Sequence, residues 1–427
     1  MAGRDPADGP GAHHSLADRK AAGDRLRLLA GRQSAPLSPP DANGPADHDR
    51  AAGAPDVYAS WAVRAYVAMQ TRFRAADGTY RRDGLLHRPG AAAHVWPFAR
   101  ALVATLDLSG LHDGLPALFD ADAGIAEHLK TLESYWDVSR GASAYSSDVL
   151  GTRPGGDRYY DDNAWVGLAL VQLERMRPGG GHLDRAAELF GFAQAGWDRR
   201  HNVPNPGGVF WVEQGVGAGS RNHDRNTVSN APNAALGLHL AELTGVQAGA
   251  ADSIGPEAMY EWVNAALDAS RDGDCPATGL FWDKLRGNGM LDDTFWSYNQ
   301  GSMVGVNVLL ARRGGQARAA YLARAEAIAR KALGHYAAVG YESQPPAFNA
   351  IFFRNLLQLH AATADDWLRT QIVEAMRAYA DRAWHEQRTG SDCFRFSRRG
   401  ATLLDQSAMV QILALLAWDP AAYHKLA

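Results

Sequence analysis

Two aspartates, Asp161 and Asp162, stand next to each other in the run YYDDNAWVGLALVQL. Adjacent carboxyl groups repel each other when both are ionised, so one tends to keep its proton while the other carries the charge. A carboxylic acid beside a carboxylate is the pair that glycoside cleavage requires. Helix capping is the competing interpretation, because aspartate is favoured at helix N-termini. Capping needs only one carboxylate and gives no reason for the aromatic residues around the pair.

The adjacency of the two aspartates also bears on the mechanism. Retaining glycosidases hold their carboxyl groups about 5–5.5 Å apart, and inverting ones hold them about 6.5–9.5 Å apart. Neighbours at the start of a helix reach the shorter separation more readily, which favours a retaining mechanism. The residues alone do not say which aspartate is the nucleophile. A second pair, Asp292 and Asp293, lies in a glycine-containing loop, and we expect it at the rim of the site.

Helical patterns of two alternating kinds follow one another along the chain. Amphipathic runs such as ARAAYLARAEAIARKAL (317–333) predict outer helices, and runs that are apolar nearly all round, such as GSMVGVNVLLA (301–311), predict buried ones. The segment GGVFWVEQ (207–214) is predicted to form a short loop hairpin. The twelve predicted helices begin near Val57, Val95, Ile125, Ala164, Leu183, Ala231, Glu257, Gly301, Arg318, Ala347, Asp366 and Gln406.

The apolar helices share a polar and aromatic start, and these starts recur every 50 to 68 residues. Repeated helical hairpins of this kind predict an all-α fold, an (α/α)6 toroid of six hairpins. Its inner helices run in one direction, so their N-termini meet at one mouth. The mouth residues are nearly free of Lys and Arg and suit a neutral polyhydroxyl ligand. The predicted substrate-binding residues, each of which could instead plug the barrel or cap a helix, are Trp96, Tyr160, Trp165, Asn230, Tyr298, Asn299, Gln300, Phe348 and Asp405.

Composition excludes several other classes of protein. The 427 residues include 43 Lys and Arg against 47 Asp and Glu, a net charge of −4, which gives no basic footprint for nucleic acid. No apolar stretch reaches about 18 residues, so we expect no membrane span. The two cysteines, Cys275 and Cys393, cannot form a disulfide framework, and two free thiols are the simplest expectation. We expect no metal and no cofactor, because two carboxyl groups suffice for the chemistry.

The N-terminal 53 residues differ from the rest of the chain. Residues 1–53 contain no aromatic residue and are rich in Ala, Gly, Pro, Asp and Arg, so we expect a disordered tail. Residues 54–427 are expected to form a single barrel domain, and we expect a monomer. The start has no secretory signal pattern. The chain as written is therefore expected in the cytoplasm, or outside the cell if its true start or export route differs.

Several motifs together resemble glycoside hydrolase family 76, the endo-α-1,6-mannanase family of (α/α)6 fold. They are YYDDNAW, TVSNAPNAALGLHLAELTG (227–245), GLFWD (279–283), SYNQGSMVG (297–305), FNAIFFRNLLQL (348–359) and the final DQSAMVQILALLA. The resemblance implies retaining hydrolysis of α-1,6-linked mannose chains, with Asp161 in the position of the nucleophile and Asp162 in that of the general acid/base. Two alternatives remain: a non-catalytic carbohydrate-binding toroid, and a glycosidase of this fold that acts on another α-glycan.

Overall fold

The structure is a computed structural model. It describes residues 54–83, 92–111, 120–151, 155–215, 217–219, 221–245, 254–271, 279–398 and 400–427. The predicted disordered tail, residues 1–53, and Cys275 lie outside the described residues. Cys393 is buried.

The described residues form twelve α-helices, the number that the sequence predicts. They are α1 (Ala54–Phe73), α2 (Val95–Ser109), α3 (Ala121–Leu132), α4 (Tyr160–Met176), α5 (Leu183–Ala195), α6 (Thr227–Thr244), α7 (Pro256–Leu267), α8 (Ser297–Arg312), α9 (Arg318–Val339), α10 (Pro346–Ala362), α11 (Asp366–Glu386) and α12 (Leu403–Ala417). Short 3-10 turns cover Glu133–Tyr135, Ala269–Arg271, Tyr341–Ser343 and Pro420–Lys425.

Three of the inner helices begin about one turn earlier than predicted. Helices α4, α6 and α8 start at Tyr160, Thr227 and Ser297, upstream of their apolar runs. The first four N–H groups of a helix have no partner within the helix. Polar side chains are therefore favoured in its first turn, where they can accept hydrogen bonds from these groups. The polar motifs therefore lie inside these helices and not in the loops before them.

The even-numbered helices form a closed inner ring. Each packs against the next even-numbered helix, and α12 packs back against α2. The odd-numbered helices surround this ring: α3, α5, α7 and α9 each pack on the inner helix before them, α11 packs on α10 and α12, and α1 packs on α12. The predicted (α/α)6 toroid is confirmed.

Burial follows the two kinds of helix. Every residue of α8 from Ser297 to Ala311 is buried, as expected for a helix enclosed on all sides. The outer helix α9 buries one stripe only, Ala325, Ile328, Ala329, Ala332, Leu333 and Tyr336. Gly301 marks a close approach of the α8 and α10 backbones, because a Cβ at this position would lie 2.7 Å from Cα of Phe352.

The connections that lead into the inner helices carry the strands. β1 (Trp136–Asp137) and β2 (Ala144–Tyr145) pair antiparallel before α4. β3 (Arg225–Asn226), β4 (Lys284–Leu285) and β5 (Leu291–Asp292) form an antiparallel sheet in that order. All five strands therefore lie at the mouth of the toroid. None of the described helices is both long and apolar enough to cross a membrane.

The segment 207–214 does not form the predicted hairpin. Its residues make single bridges to three separate parts of the chain, with Val209 facing Trp197, Phe210 facing Arg225 and Val212 facing Tyr159. The segment pairs with other loops and not with itself. The strand propensity of a segment does not show which part of the chain it pairs with.

Candidate active site

Asp161 and Asp162 lie in the first turn of α4, where they are only 2% and 5% exposed to solvent. The turn is held by the side chain of Asn163, whose Oδ1 accepts from the Tyr145 backbone N–H at 2.7 Å. Its Nδ2 donates to the carbonyl oxygens of Tyr145 and Tyr159. Strand β2 therefore fixes the position from which both aspartates project.

The two carboxyl groups have different hydrogen-bond environments. Oδ1 of Asp161 accepts from the backbone N–H of Asp162 at 3.0 Å, and Oδ2 accepts from the indole N–H of Trp211 at 3.1 Å. Among the described residues, no donor bonds the carboxyl group of Asp162. Hydrogen bonds to a carboxylate stabilise its ionised form, so the environment favours the charge on Asp161.

The pKa values of the pair are shifted in the same direction, for partly different reasons. Burial raises the pKa of Asp161 to about 7, while its two donors act to lower it. Burial and then the charge of Asp161 raise the pKa of Asp162 well above its usual value. Because Asp161 receives the donors and Asp162 receives the repulsion, Asp161 loses its proton first. At neutral pH the pair can therefore hold one carboxylate and one carboxylic acid.

A third carboxylate, Asp283, acts on this pair and was not singled out by the sequence analysis. It is 6% exposed, and its charge contributes to raising the pKa of Asp161. The Asn299 amide donates to its Oδ1 at 3.4 Å. Its backbone carbonyl accepts from Thr227 at the start of α6. The signal for it was the aspartate that ends GLFWD, directly before β4.

Trp211 is a second residue of the site that is not among the predicted substrate-binding residues. Its ring centroid lies 4.9 Å from that of Tyr159, and its backbone carbonyl accepts from the Tyr160 N–H at 3.1 Å. The Lys284 Nζ lies 5.8 Å from the Trp211 ring centroid and 3.1 Å from Oδ2 of Asp224. Trp211 thus joins the loop before α6 to the first turn of α4.

Three of the predicted aromatic residues come together from three helices. Tyr298 of α8 stacks on Phe348 of α10, with ring centroids 3.8 Å apart and planes 3° apart. The ring centroid of Phe348 also lies 6.2 Å from that of Trp96 on α2 and 5.4 Å from that of Trp296. Since α12 lies between α2 and α10 in the ring, this contact joins the side chains of two inner helices that are not adjacent. The inner N-termini therefore converge as expected.

The side chain of Tyr160 points away from the lumen. Its ring stacks on Phe192 of α5 with centroids 4.4 Å apart. A Cβ on Gly196 would lie 2.3 Å from this ring, so glycine leaves room for it. Tyr160 packs between an inner and an outer helix, which corrects its prediction as a sugar contact.

The amides of Asn230 and Gln300 bond to backbone groups. Oδ1 of Asn230 accepts from the Val209 N–H at 2.7 Å, and its Nδ2 donates to carbonyl oxygens of the same loop. Oε1 of Gln300 accepts from the Phe281 N–H at 2.8 Å, and its Nε2 donates to the Phe281 carbonyl. Both amides attach loops at the mouth to the inner helices. Their hydrogen bonds are made with the protein backbone, which corrects the prediction that they contact the sugar.

Asn299 and Asp405 lie in the first turns of α8 and α12, and Trp165 lies in the second turn of α4. Trp165 lies one turn below the aspartate pair and lines an interior cavity. Asn299 lies beside Asp283. Asp405 is half-buried in the first turn of α12, and burial raises its pKa to about 6. Because Thr402 caps that helix through its Oγ1 at 3.1 Å, the carboxyl group of Asp405 is not needed as the cap.

The second aspartate pair lies at the rim, as expected. Asp293 is exposed. Asp292 accepts hydrogen bonds from Arg286 at 3.0 Å and Thr294 at 2.8 Å. Burial acts to raise the pKa of Asp292, but these partners outweigh burial and lower it. An ion-paired carboxylate with a lowered pKa is unsuited to act as the acid.

Cations reach the mouth from loops and not from the helix starts. The Arg82 guanidinium lies 3.1 Å from Nε2 of His94, whose Nδ1 lies 2.7 Å from Oδ1 of Asp148. Neither Arg82 nor Lys284 belongs to the start of an inner helix, so the predicted mouth did not include them. In the portion of the chain that the structure describes, no three His, Cys, Asp or Glu side chains are placed to hold a metal ion.

A closed (α/α)6 toroid with a buried carboxyl pair at its mouth has the acid and the carboxylate that glycoside cleavage requires. The sequence profile described as glycosyl hydrolase family 76 matches residues 126–418, more than half of the chain. The chain therefore belongs to glycoside hydrolase family 76 and is a glycoside hydrolase with a carbohydrate substrate. A search of curated protein sequences finds no match.

Solved structures share the fold over most of their length. An α-mannanase of this family from Bacteroides thetaiotaomicron has a TM-score of 0.68 at 16% identity, over 84% of this chain and 95% of that chain. An inactive variant of a Salegentibacter sp. α-1,6-mannanase, with two consecutive aspartates changed to asparagine and α-1,6-mannotriose bound, has a TM-score of 0.64 at 18% identity, over 84% and 99%. A D-mannose isomerase has a TM-score of 0.57 at 12% identity, over 86% and 100%. These identities show the fold alone, and a fold hosts more than one reaction.

Proposed function

We propose that this enzyme is a retaining glycoside hydrolase that cleaves α-1,6-linked mannose chains, with Asp161 as nucleophile and Asp162 as general acid/base. The observation that carries the proposal is the unequal environment of the two carboxyl groups. Asp161 accepts hydrogen bonds at 3.0 and 3.1 Å, and the charge of Asp161 helps to keep Asp162 protonated. A nucleophile must be ionised and a general acid must be protonated.

The first half-reaction follows from this assignment. Asp162 gives its proton to the glycosidic oxygen while a carboxylate oxygen of Asp161 attacks the anomeric carbon from the opposite face. The bond between that carbon and the leaving oxygen breaks, and a β-linked glycosyl ester forms on Asp161. The proton leaves with the released chain as its new hydroxyl group. Asp162 is then a carboxylate.

The second half-reaction returns both groups to their starting states. The Asp162 carboxylate takes a proton from a water molecule whose oxygen attacks the anomeric carbon of the ester. The ester bond breaks and releases Asp161 as a carboxylate. Two inversions give a product with the α configuration of the substrate. The Trp211 N–H keeps Asp161 ionised before the attack, and it stabilises the carboxylate that leaves when the ester breaks.

The proposed substrate is supported by what is bound in related structures. The inactive Salegentibacter variants, which carry changes at two consecutive aspartates, hold α-1,6-mannotriose and α-1,6-mannotetrose. This chain has consecutive aspartates in the first turn of an inner helix. We propose that its lumen-facing residues Trp96, Trp165, Tyr298, Asn299, Phe348 and Asp405 contact the sugar chain, with Asp283 beside them.

Product analysis on defined polymers tests the proposal. The purified enzyme is incubated with linear α-1,6-mannan and with an α-1,2/α-1,3-linked mannan, and the products are separated by size. We expect oligosaccharides from the first polymer only. Release from another α-glycan alone would replace the proposed linkage, and binding of both polymers without release from either would contradict catalysis by this pair.

Matched variants show whether the pair performs the reaction. Asp161→Asn and Asp162→Asn should each lower turnover of the α-1,6 polymer by at least about 10²-fold while binding is kept. Asp293→Asn is the control, because this exposed aspartate has no part in the proposed chemistry. Near-normal turnover in both variants of the pair would move the reaction to other groups.

A further inference from the structure

Lys284, the first residue of β4, is a cation beside the active site to which the proposed reaction gives no part. It is only 8% exposed, and a charge at that degree of burial needs a partner. Its Nζ lies 3.1 Å from Oδ2 of Asp224. Its charge also acts on Asp292, the residue opposite it on β5. The carboxylates that balance the lysine therefore lie outside the catalytic pair.

Asp224 connects this lysine to Trp211. Its Oδ2 pairs with the ammonium, and its Oδ1 accepts from the Gly287 backbone N–H, between β4 and β5, at 3.0 Å. Its backbone carbonyl accepts from the backbone N–H of Trp211 at 2.9 Å. The ammonium and the indole are thus attached to the same residue. The Lys284 Nζ lies 5.8 Å from the Trp211 ring centroid, within the range of a cation–π interaction.

A cation against an indole ring strengthens the ring as a hydrogen-bond donor. The Trp211 indole N–H donates to Oδ2 of Asp161 at 3.1 Å. Such a bond shifts electron density from the carboxylate into the indole, and a positive charge against the ring stabilises that density. Lys284, Trp211 and Asp161 therefore form a chain in which the positive charge at one end favours the negative charge at the other.

We propose that Lys284 is a positioning residue for the reaction: its ammonium, held by Asp224 against the Trp211 ring, strengthens the hydrogen bond that keeps Asp161 ionised. The inference rests on the proposed role of Asp161 as the nucleophile. It gives a reason for burying a lysine at this position, since an apolar side chain would fill the same space without the cost of burying a charge.

The other charged groups near Asp161 act in the opposite direction. Burial and then the charge of Asp283 raise the pKa of Asp161. Asp162 repels Asp161 when both are ionised. The ionisation of Asp161 therefore depends on its donors, of which Trp211 is the one that Lys284 contacts.

Lys284→Met tests the inference without a substrate, because methionine keeps much of the side-chain length and removes the charge. The first ionisation of the aspartate pair is followed from pH 4 to 9 through the ¹H–¹⁵N resonance of the Trp211 indole, which is assigned with Trp211→Phe. We expect the midpoint of this titration to rise by about 0.5 pH unit in Lys284→Met. An unchanged midpoint would overturn the inference.

A double-mutant cycle shows whether the lysine acts through Trp211. The acidic limb of the kcat/KM profile should move to higher pH in Lys284→Met, and Lys284→Met should add no further shift to Trp211→Phe. A shift of equal size in both backgrounds would show that the charge acts on Asp161 directly and would overturn the inference. Arg286→Met is the control, because it removes a positive charge from the same hairpin at a residue that pairs with Asp292. It should leave the midpoint unchanged.

The two measurements separate this inference from the proposed function. If Lys284→Met does not fold, Lys284→Gln, whose amide can still donate to Asp224, replaces it with the same expected shift. An unchanged midpoint in an enzyme that cleaves α-1,6-mannan would contradict the role of Lys284 alone. A raised midpoint in a protein without turnover would contradict the proposed function and leave the effect of Lys284 on Asp161 established.

Discussion

The indole N–H of Trp211 donates to Oδ2 of Asp161 at 3.1 Å, across a sequence separation of 50 residues. This contact distinguishes two carboxyl groups that are adjacent in sequence and nearly equal in burial. It stabilises the charged form of Asp161, and the charge on Asp161 then helps to retain the proton on Asp162. The division of labour in the pair depends on a residue contributed by a distant loop.

Trp211→Phe tests this dependence. The variant keeps an aromatic ring beside Tyr159 and removes the N–H donor, so the pKa of Asp161 should rise. Charge-assisted hydrogen bonds contribute about 1.5–3 kcal/mol, which corresponds to a rise in pKa of about 1–2. The acidic limb of the kcat/KM profile, measured from pH 4 to 9, should move to higher pH by that amount. The control is Trp367→Phe, an exposed tryptophan on α11. An equal loss at every pH would show that Trp211 supplies shape and not the hydrogen bond.

The roles of the two aspartates are separable with alanine variants. Asp161→Ala lacks the nucleophile, and azide can take its place on the same face of the sugar. We expect azide to restore turnover of an activated aryl α-mannoside and to give a β-mannosyl azide. Asp162→Ala lacks the acid, so it should retain far more activity on the activated substrate than on mannan. Reversal of the two patterns would exchange the roles.

The buried pair should cost the enzyme stability at high pH. The pKa of Asp162 is raised in the folded state, so the folded protein holds a proton that the unfolded chain releases. Stability from this group is complete below its unfolded pKa and is lost as the pH rises through its folded pKa. A tenfold difference in proton affinity between the folded and unfolded states corresponds to about 1.4 kcal/mol.

Asp162→Asn removes this titration. The free energy of unfolding of the variant, relative to the unaltered enzyme, should increase by at least about 1.4 kcal/mol between pH 5 and pH 8. The measurement is denaturant unfolding at both pH values, with Asp293→Asn as the exposed control. A constant difference between the two pH values would contradict the raised pKa.

Gly301→Ala tests a close backbone contact between two helices of the inner ring. The added Cβ would lie 2.7 Å from Cα of Phe352, so α8 and α10 must separate. Overpacking of this kind costs about 1–3 kcal/mol. Gly191→Ala on the outer helix α5 is the matched control, because no atom lies within 4 Å of its added Cβ. That control should be stabilised by up to about 1 kcal/mol through helix propensity. Equal effects on stability in the two variants would show that the inner ring has room for a Cβ at Gly301.

The architecture could be predicted because the composition of each helix shows whether it is enclosed or exposed on one side. A helix such as α8, apolar on all sides, has to be enclosed, whereas α9 with its single stripe has to lie outside. Six such pairs with enclosed inner helices favour a closed ring. The aspartate pair was also visible, because two like charges at the start of an apolar helix require a reason.

Side-chain direction at the mouth was harder to predict. Consecutive residues in a helix point about 100° apart. The predicted helix begins near Ala164, four residues after the observed start of α4, so the sequence does not show which of residues 160–163 face the lumen. Tyr160 therefore packs outward on Phe192, while Asp161 accepts from Trp211 on the other side. The contacts of Trp211 and Asp283 with the aspartate pair could not be predicted, because their loops are positioned by isolated bridges to distant segments. Local sequence carries no signal for such pairings.

The anomeric configuration of the first product tests the central claim most directly. Linear α-1,6-mannan is digested with the enzyme, and the reducing-end proton of the released sugars is followed by NMR before mutarotation. A double displacement through Asp161 and Asp162 predicts that the α anomer appears first and that the β anomer accumulates only by mutarotation. Initial formation of the β anomer would mean a single displacement by water and would contradict Asp161 as the nucleophile.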